Sequence, residues 1–174
     1  MTLPDFRLLG FFNFFCYRDI TMNTTLAIYT DGGCSGNPGP GGWAYVIVEN
    51  NVIVSEQWGA EHLSTNNRME LSAVIESLKA IKTMPAIPDH ITIYTDSQYT
   101  RKGITEWIRN WKRNNWRTSD KKPVKNQDLW MELDSLAAEF SLTWEWVPGH
   151  AGVEYNERCD HMTQTAIASI SVKR

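Results

Sequence analysis

The sequence predicts an α/β protein: a five-stranded mixed sheet with helices packed on both faces. Apolar runs of period two, bounded by Gly, Pro and Asn, alternate along the chain with stretches whose apolar residues recur every three to four positions. Their order is strand, Gly-rich segment, two strands, helix, strand, a helical basic stretch, helix, strand, loop, helix. The chain has 174 residues, 42% of them hydrophobic and 21% charged, which suits one domain around one core and excludes disordered, collagenous and coiled-coil classes. No internal repeat or low-complexity tract is present, so solenoids and propellers drop out.

The first strand is Leu26-Ala27-Ile28-Tyr29-Thr30. Residues 43–48 and 52–58 follow as strands joined by the polar turn Glu49-Asn50-Asn51, which predicts an antiparallel meander. Leu71, Val74, Ile75, Leu78 and Ile81 then fall at helical spacing, after the capping candidates Ser64, Thr65 and Asn66 and before Lys79, Lys82 and Pro85. Residues 91–95 are a strand reached through that helix, and a right-handed crossover lays it parallel to an earlier strand. Residues 142–147 form the last strand, ended by Pro148-Gly149, and a final helix carries Asn156, Asp160 and Ile167. The domain runs over 23–170, with a tail at 171–174.

Residues 1–22 stand apart. Their apolar run, 8–17, is too short to cross a bilayer at ~20 residues, and it has no A-x-A-like cleavage site. Met22 lies two residues before the first strand segment, so the extension reads as an upstream start or a disordered tail with no part in the chemistry. Cys16, Cys34 and Cys159 are odd in number and form no C-x-x-C pair, which argues against disulfides and a zinc knuckle and fits a reducing cytoplasm.

The net charge of −3 hides a segregation. Residues 101–126 hold nine Lys or Arg (among them Lys112, Arg113, Lys121 and Lys122) against Glu106 and Asp120, a local +7 that leaves −10 for the rest. A basic flank on an acidic body suits a phosphate-facing surface, although charge runs alone usually mean a solvated helix. Trp107 and Trp111 are i, i+4 neighbours interleaved with Arg109, Lys112 and Arg113, and Trp116 follows. Aromatic stripes usually mean core; this alternation favours indoles that touch sugars or bases while cations hold phosphates.

Two strands end alike, Ile28-Tyr29-Thr30-Asp31 and Ile93-Tyr94-Thr95-Asp96. Side by side and parallel, chains about 4.8 Å apart would project both aspartates from the carboxyl edge of the sheet toward one ion. Either Asp alone is more often a turn or helix cap. Glu70 borders the apolar stripe of the first long helix, and Asp160 lies one turn after Asn156 on the last. Isolated, each is ordinarily a surface carboxylate; together the four need cations, because two carboxylates about 5 Å apart repel by about 3 kcal/mol at an effective dielectric of ~20. All-oxygen donors suit Mg²⁺ or Mn²⁺ rather than zinc, and a pair of such ions suits in-line attack on a phosphodiester. His150, in Pro148-Gly149-His150-Ala151-Gly152, could move protons or help product leave. The stretch 31–42 holds six of the 11 glycines, lacks a Gly-Lys-Ser/Thr ending, and suits either tight turns or close approach to a polymer.

Tyr29-Thr30-Asp31-Gly32 with 36–42, Thr65-Asn66-Asn67-Arg68-Met69-Glu70-Leu71, Thr95-Asp96-Ser97-Gln98-Tyr99, Trp144-Glu145-Trp146-Val147 with Gly149-His150-Ala151-Gly152, and Asn156-Glu157-Arg158-Cys159-Asp160 occur in that order over about 24–168. In these motifs the chain resembles bacterial ribonuclease H of the first type. The resemblance implies a sheet whose first three strands are antiparallel and whose others run parallel to the first. It also implies Mg²⁺-dependent hydrolysis of the RNA strand of RNA·DNA hybrids to 3′-hydroxyl and 5′-phosphate ends. By resemblance Asp31, Glu70, Asp96 and Asp160 hold the metal, with Mn²⁺ as a substitute, and His150 assists. Cys34, Asn37, Asn66 and Gln98 are implied at the hybrid near the cut, Thr65 and Asn126 at a phosphate of the DNA strand. Trp107, Trp111, Lys112, Arg113, Trp116, Lys121 and Lys122 match the basic protrusion. Gly33 in place of a small hydroxyl residue and Val153-Glu154-Tyr155 depart from the family wording. A monomer in the cytoplasm, with the hybrid as partner and no membrane, is expected; the rivals are a binding module without catalysis and a DNA exonuclease or strand transferase on a similar scaffold.

Overall fold

A computed structural model describes residues 25–171. The meander is β1 (Thr25–Cys34), β2 (Gly39–Glu49) and β3 (Val52–Ser64). Then come α1 (Asn66–Lys82), β4 (His90–Thr95) and α2 (Gln98–Lys102), which continues through a π turn, Gly103–Trp107, into α3 (Ile108–Arg113). The chain closes with α4 (Gln127–Ala137), β5 (Leu142–Trp146) and α5 (Glu154–Ser171). The sheet order is β3-β2-β1-β4-β5, with β1 antiparallel to β2 and parallel to β4, and β4 parallel to β5.

Strand alternation sends side chains to two different helical layers. Ile28, Ile47, Ile91 and Ile93 meet Leu71, Val74, Ile75 and Leu78 of α1 and Trp130 and Leu133 of α4, all buried. On the opposite face Ala44, Val46 and Val48 pack on Cys159 of α5, with Tyr29, Tyr155 and Met162 around them. Burying an Ile or Leu side chain is worth about 1.5–3 kcal/mol, so this two-sided burial fixes the central strands, and with them the sheet edge where β1 and β4 end.

Several expected boundaries move. The segment 31–42 is mostly strand: β1 continues to Cys34 and β2 starts at Gly39, paired through Asp31↔Ala44, Gly33↔Gly42 and Cys34↔Gly41. Glycine is a poor strand former by itself, but here the ladder supplies the order, and only residues 35–38 bend, with Asn37-Pro38 in cis. Likewise β3 runs on to Ser64, so Ser64 belongs to the sheet and Thr65 is the residue that caps α1, without a side-chain bond. The readings of residues 1–22, Cys16 and most of the tail lie outside the described residues.

Candidate active site

The repeated Ile-Tyr-Thr words sit directly opposite each other, Ile28↔Ile93, Tyr29↔Tyr94 and Thr30↔Thr95, with the two tyrosine rings stacked at 4.7 Å. Each Asp is the next residue after its Thr, so the register itself delivers Asp31 and Asp96 to one edge. Glu70 arrives by a different route. A Cβ on Gly32 would stand 2.2 Å from the Met69 carbonyl carbon and 2.3 Å from the Glu70 amide nitrogen. Only a residue without Cβ lets the first turns of α1 lie so close to β1.

Oxygens of Asp31, Glu70 and Asp96 all lie within 4.8 Å of one another. Asp31 is 8% exposed, and burial first, then the charges of Asp96 and Asp160, pushes its carboxyl up to about 6 against the hydrogen bonds from Thr163 and Gly32. Burial, with Asp31 and Asp96 facing it, holds Glu70 well above the ordinary carboxylate range. Glu70 Oε2 is buried and has no hydrogen-bond partner among the described residues. An oxygen-only donor set with a buried, unpaired carboxylate oxygen fits a hard divalent cation, which would neutralise the cluster and satisfy that atom.

Asp160, on α5, is not in the three-residue group. Its side chain is 32% exposed and its Oδ2 lies 3.7 Å from Nδ1 of His150, which is 78% exposed and sits at φ +53 in the loop after β5. The site is thus a tight triad flanked by an open Asp160 and His150 pair.

Cys34 ends β1 half-buried, Asn37 is exposed in the bend, and Asn66 and Gln98 are exposed at the first positions of α1 and α2. Thr65 and Asn126 precede α1 and α4, whose first turns are clamped by the two-pronged Arg68 to Asp128 pair at 3.1 and 2.8 Å. Asn126 adopts the left-handed conformation, φ 56, and donates to the Tyr99 hydroxyl at 3.2 Å.

The basic segment differs from the surface stripe its sequence suggests. Trp107 and Trp111 meet tilted at 5.8 Å and join Tyr99 and Trp130 in one aromatic cluster, and Trp116 packs half-buried on the core. Trp111 packs on Trp130, and Trp107 on Tyr99 and Trp111, so both indoles are half-buried rather than free on the surface. Lys121 and Lys122 are exposed, as is Arg113, which is held by Asn110, while Lys112 reaches Asp134 at 2.6 Å.

Two contacts at Asp96 escape the residue-type reading. Trp146 Nε1 donates to the Asp96 carbonyl at 3.1 Å, and Asn156 Nδ2 donates to Asp96 Oδ2 at 3.4 Å. The signal available in sequence was position: Asn156 sits one helical turn before Asp160, on the same side of α5.

Comparison with known proteins agrees with this architecture. A Ribonuclease H of Treponema denticola is 52% identical over 153 residues, covering 81% of this chain and 96% of its own length. The solved structure of LC9-RNase H1, described as a type 1 RNase H with the type 2 active-site motif, is similar at a TM-score of 0.76 and 32% identity, over 85% of this chain and 74% of that one. LC11-RNase H1, solved in complex with an RNA/DNA hybrid, shares the fold at a TM-score of 0.68 and 22% identity, over 84% of this chain and 99% of its own. The RNase H family pattern matches residues 23–168, and with a clustered acidic triad at the carboxyl ends of β1 and β4, the chain belongs to the ribonuclease H family.

Proposed function

We propose that this protein is an endonuclease that hydrolyses the RNA strand of RNA·DNA hybrids, leaving 3′-hydroxyl and 5′-phosphate ends, with Mg²⁺ as its ion and Mn²⁺ as a substitute. The observation that carries this reading is the triad: Asp31, Glu70 and Asp96 oxygens within 4.8 Å at a sheet edge, in a chain of this family. Asp31, Glu70, Asp96 and Asp160 would hold the ion. When bound, it supplies Lewis acidity at the scissile phosphate and charge to balance the carboxylates.

The chain's own groups do the rest. Asp31 and Glu70, raised by burial, are poised to give up protons as a cation arrives. His150, on an exposed loop beside Asp160, is placed to carry a proton between the departing 3′ oxygen and solvent. Cys34, Asn37, Asn66 and Gln98 surround the edge on the RNA side, where reading 2′-hydroxyls separates RNA from DNA. Thr65 and Asn126, each at the start of a helix whose first turn the Arg68 to Asp128 pair clamps, take a phosphate of the DNA strand. Arg113, Lys121 and Lys122, with Lys112 behind them and the edges of Trp107, Trp111 and Trp116, grip the hybrid further along.

Among the described residues no helix is long and apolar enough to cross a membrane. A monomer acting in the cytoplasm completes the reading. The test is cleavage of a labelled hybrid, with duplex DNA, duplex RNA and single strands beside it, with and without Mg²⁺. Asp31→Asn is expected to abolish cleavage while hybrid binding persists; wild-type turnover by that variant, or equal cutting of duplex DNA, would overturn the assignment.

A further inference from the structure

Among the described residues, the groups that hydrogen-bond or crowd Asp96 from outside the triad come from the C-terminal segment. The Trp146 indole of β5 fixes its carbonyl at 3.1 Å. Gly149, in the loop beyond, has no Cβ, and one built there would stand 2.8 Å from Asp96 Oδ2, so the backbone passes against the carboxylate. Asn156, in the first turn of α5, is 2% exposed and donates from Nδ2 to the same oxygen at 3.4 Å. Turned over, its amide would set oxygen against oxygen, which repels; the NH₂ therefore faces Asp96.

The other end of that amide is the informative part. Asn156 Oδ1 is buried without a hydrogen-bond partner among the described residues. A buried acceptor left unmade works against folding, and an apolar side chain would remove that cost. Keeping an amide there makes sense for what its NH₂ does. We infer that Asn156 is a positioning residue of the active site: it aims the Asp96 carboxylate at the cation, and through it sets cation affinity and turnover rather than hybrid affinity. Partners of ligating carboxylates act in this way elsewhere, with effects of about 10–100-fold.

This inference rests on the nuclease reading for its turnover arm but not for its binding arm. Asn156→Ala removes the amide, and Asn156→Leu removes it while filling the space. Mn²⁺ binding to the protein without hybrid, followed by titration calorimetry, is expected to weaken about tenfold in both variants. On a labelled hybrid kcat should fall about 10–100-fold with KM within about twofold, the mark of a group that acts after binding. Ser77→Ala, which removes a buried hydroxyl within α1 that donates to the Val74 carbonyl, serves as the control and should match wild type in both readouts. A folded Asn156 variant with wild-type Mn²⁺ binding and wild-type kcat overturns the inference, as does the failure of both variants to fold, which would assign the residue to the scaffold. If Mn²⁺ binding responds to Asn156 while the wild type leaves hybrids uncut, the nuclease reading falls and the positioning role stands.

Discussion

The acidic triad should cost the protein stability whenever no cation is bound, and the structure sets the size of that cost. Asp31 is pushed to about 6 from an ordinary value of 3.8. At about 1.4 kcal/mol per unit, its ionised form is disfavoured in the fold by about 3 kcal/mol. Coulomb's law gives the same order: carboxylate oxygens 4.8 Å apart repel by about 3 kcal/mol at an effective dielectric of ~20. The sign follows from the direction of the shift. A folded-state value above the unfolded one means the native protein holds the proton more firmly, so the penalty is absent below about pH 4 and grows to its full size as pH rises through about 6. Asp31→Asn keeps a neutral group at all pH values. In chelator at pH 8 it should therefore be more stable than wild type, by up to about 3 kcal/mol, or about 6–12 °C in Tm for a chain of this size. The difference should shrink toward zero near pH 4, and saturating Mg²⁺ at pH 8 should raise the wild-type Tm more than that of the variant. Thermal unfolding of both proteins from pH 4 to pH 8, with and without Mg²⁺, reads all of this. A variant less stable than wild type at pH 8 in chelator, or a difference that does not change with pH, refutes the electrostatic account.

Other perturbations reach other parts of the fold. Gly32→Ala drives a Cβ into the α1 backbone, so urea unfolding should show a loss of at least about 3 kcal/mol and hybrid cleavage should drop more than about a hundredfold; wild-type values would mean α1 can retreat without moving Glu70. Gly149→Ala should displace the Asp96 carboxylate and lower kcat while leaving Tm within a few degrees, because the loop is exposed and the collision is with one side chain. His150→Ala should lower kcat about a hundredfold or more with Mn²⁺ binding unchanged; loss of Mn²⁺ binding instead would place the imidazole on the ion. Replacing Lys112, Arg113, Lys121 and Lys122 by Ala should flatten the salt dependence of hybrid binding by about one unit for each of the last three, and by less for Lys112, already paired with Asp134; an unchanged slope would show that these cations point away from phosphate.

The parts of this site written in the sequence are those set by periodicity and repetition. The crossover through α1 foretold a strand parallel to an earlier one, and the structure sets the two Ile-Tyr-Thr words in register. The helical period of α1 set Glu70 beside the buried stripe. What stayed hidden depends on partners far along the chain. Gly33 forms strand because Gly42 lies across from it, and no local propensity says so. Trp111 turns inward onto Trp130, and Trp107 onto Tyr99 and Trp111, contacts that interleaved cations cannot announce. The close triad and the separate Asp160 look alike in sequence, since spacing along a helix gives a face but not a distance across the fold.

The matched advance of β1 and β4 has a consequence for how such a site can change over time. Both aspartates inherit their separation from main-chain pairing, so exchanging Ile28 or Ile93 for another apolar residue alters packing volume and leaves the gap between carboxylates alone. Dropping or adding one residue in either strand is another matter. It would set one aspartate back by a step of about 3.3 Å and turn it to the other side of the sheet. Drift in this protein should therefore run through spelling at constant length between Leu26 and Asp31 and between Ile91 and Asp96, with insertions and deletions confined to the connections outside them.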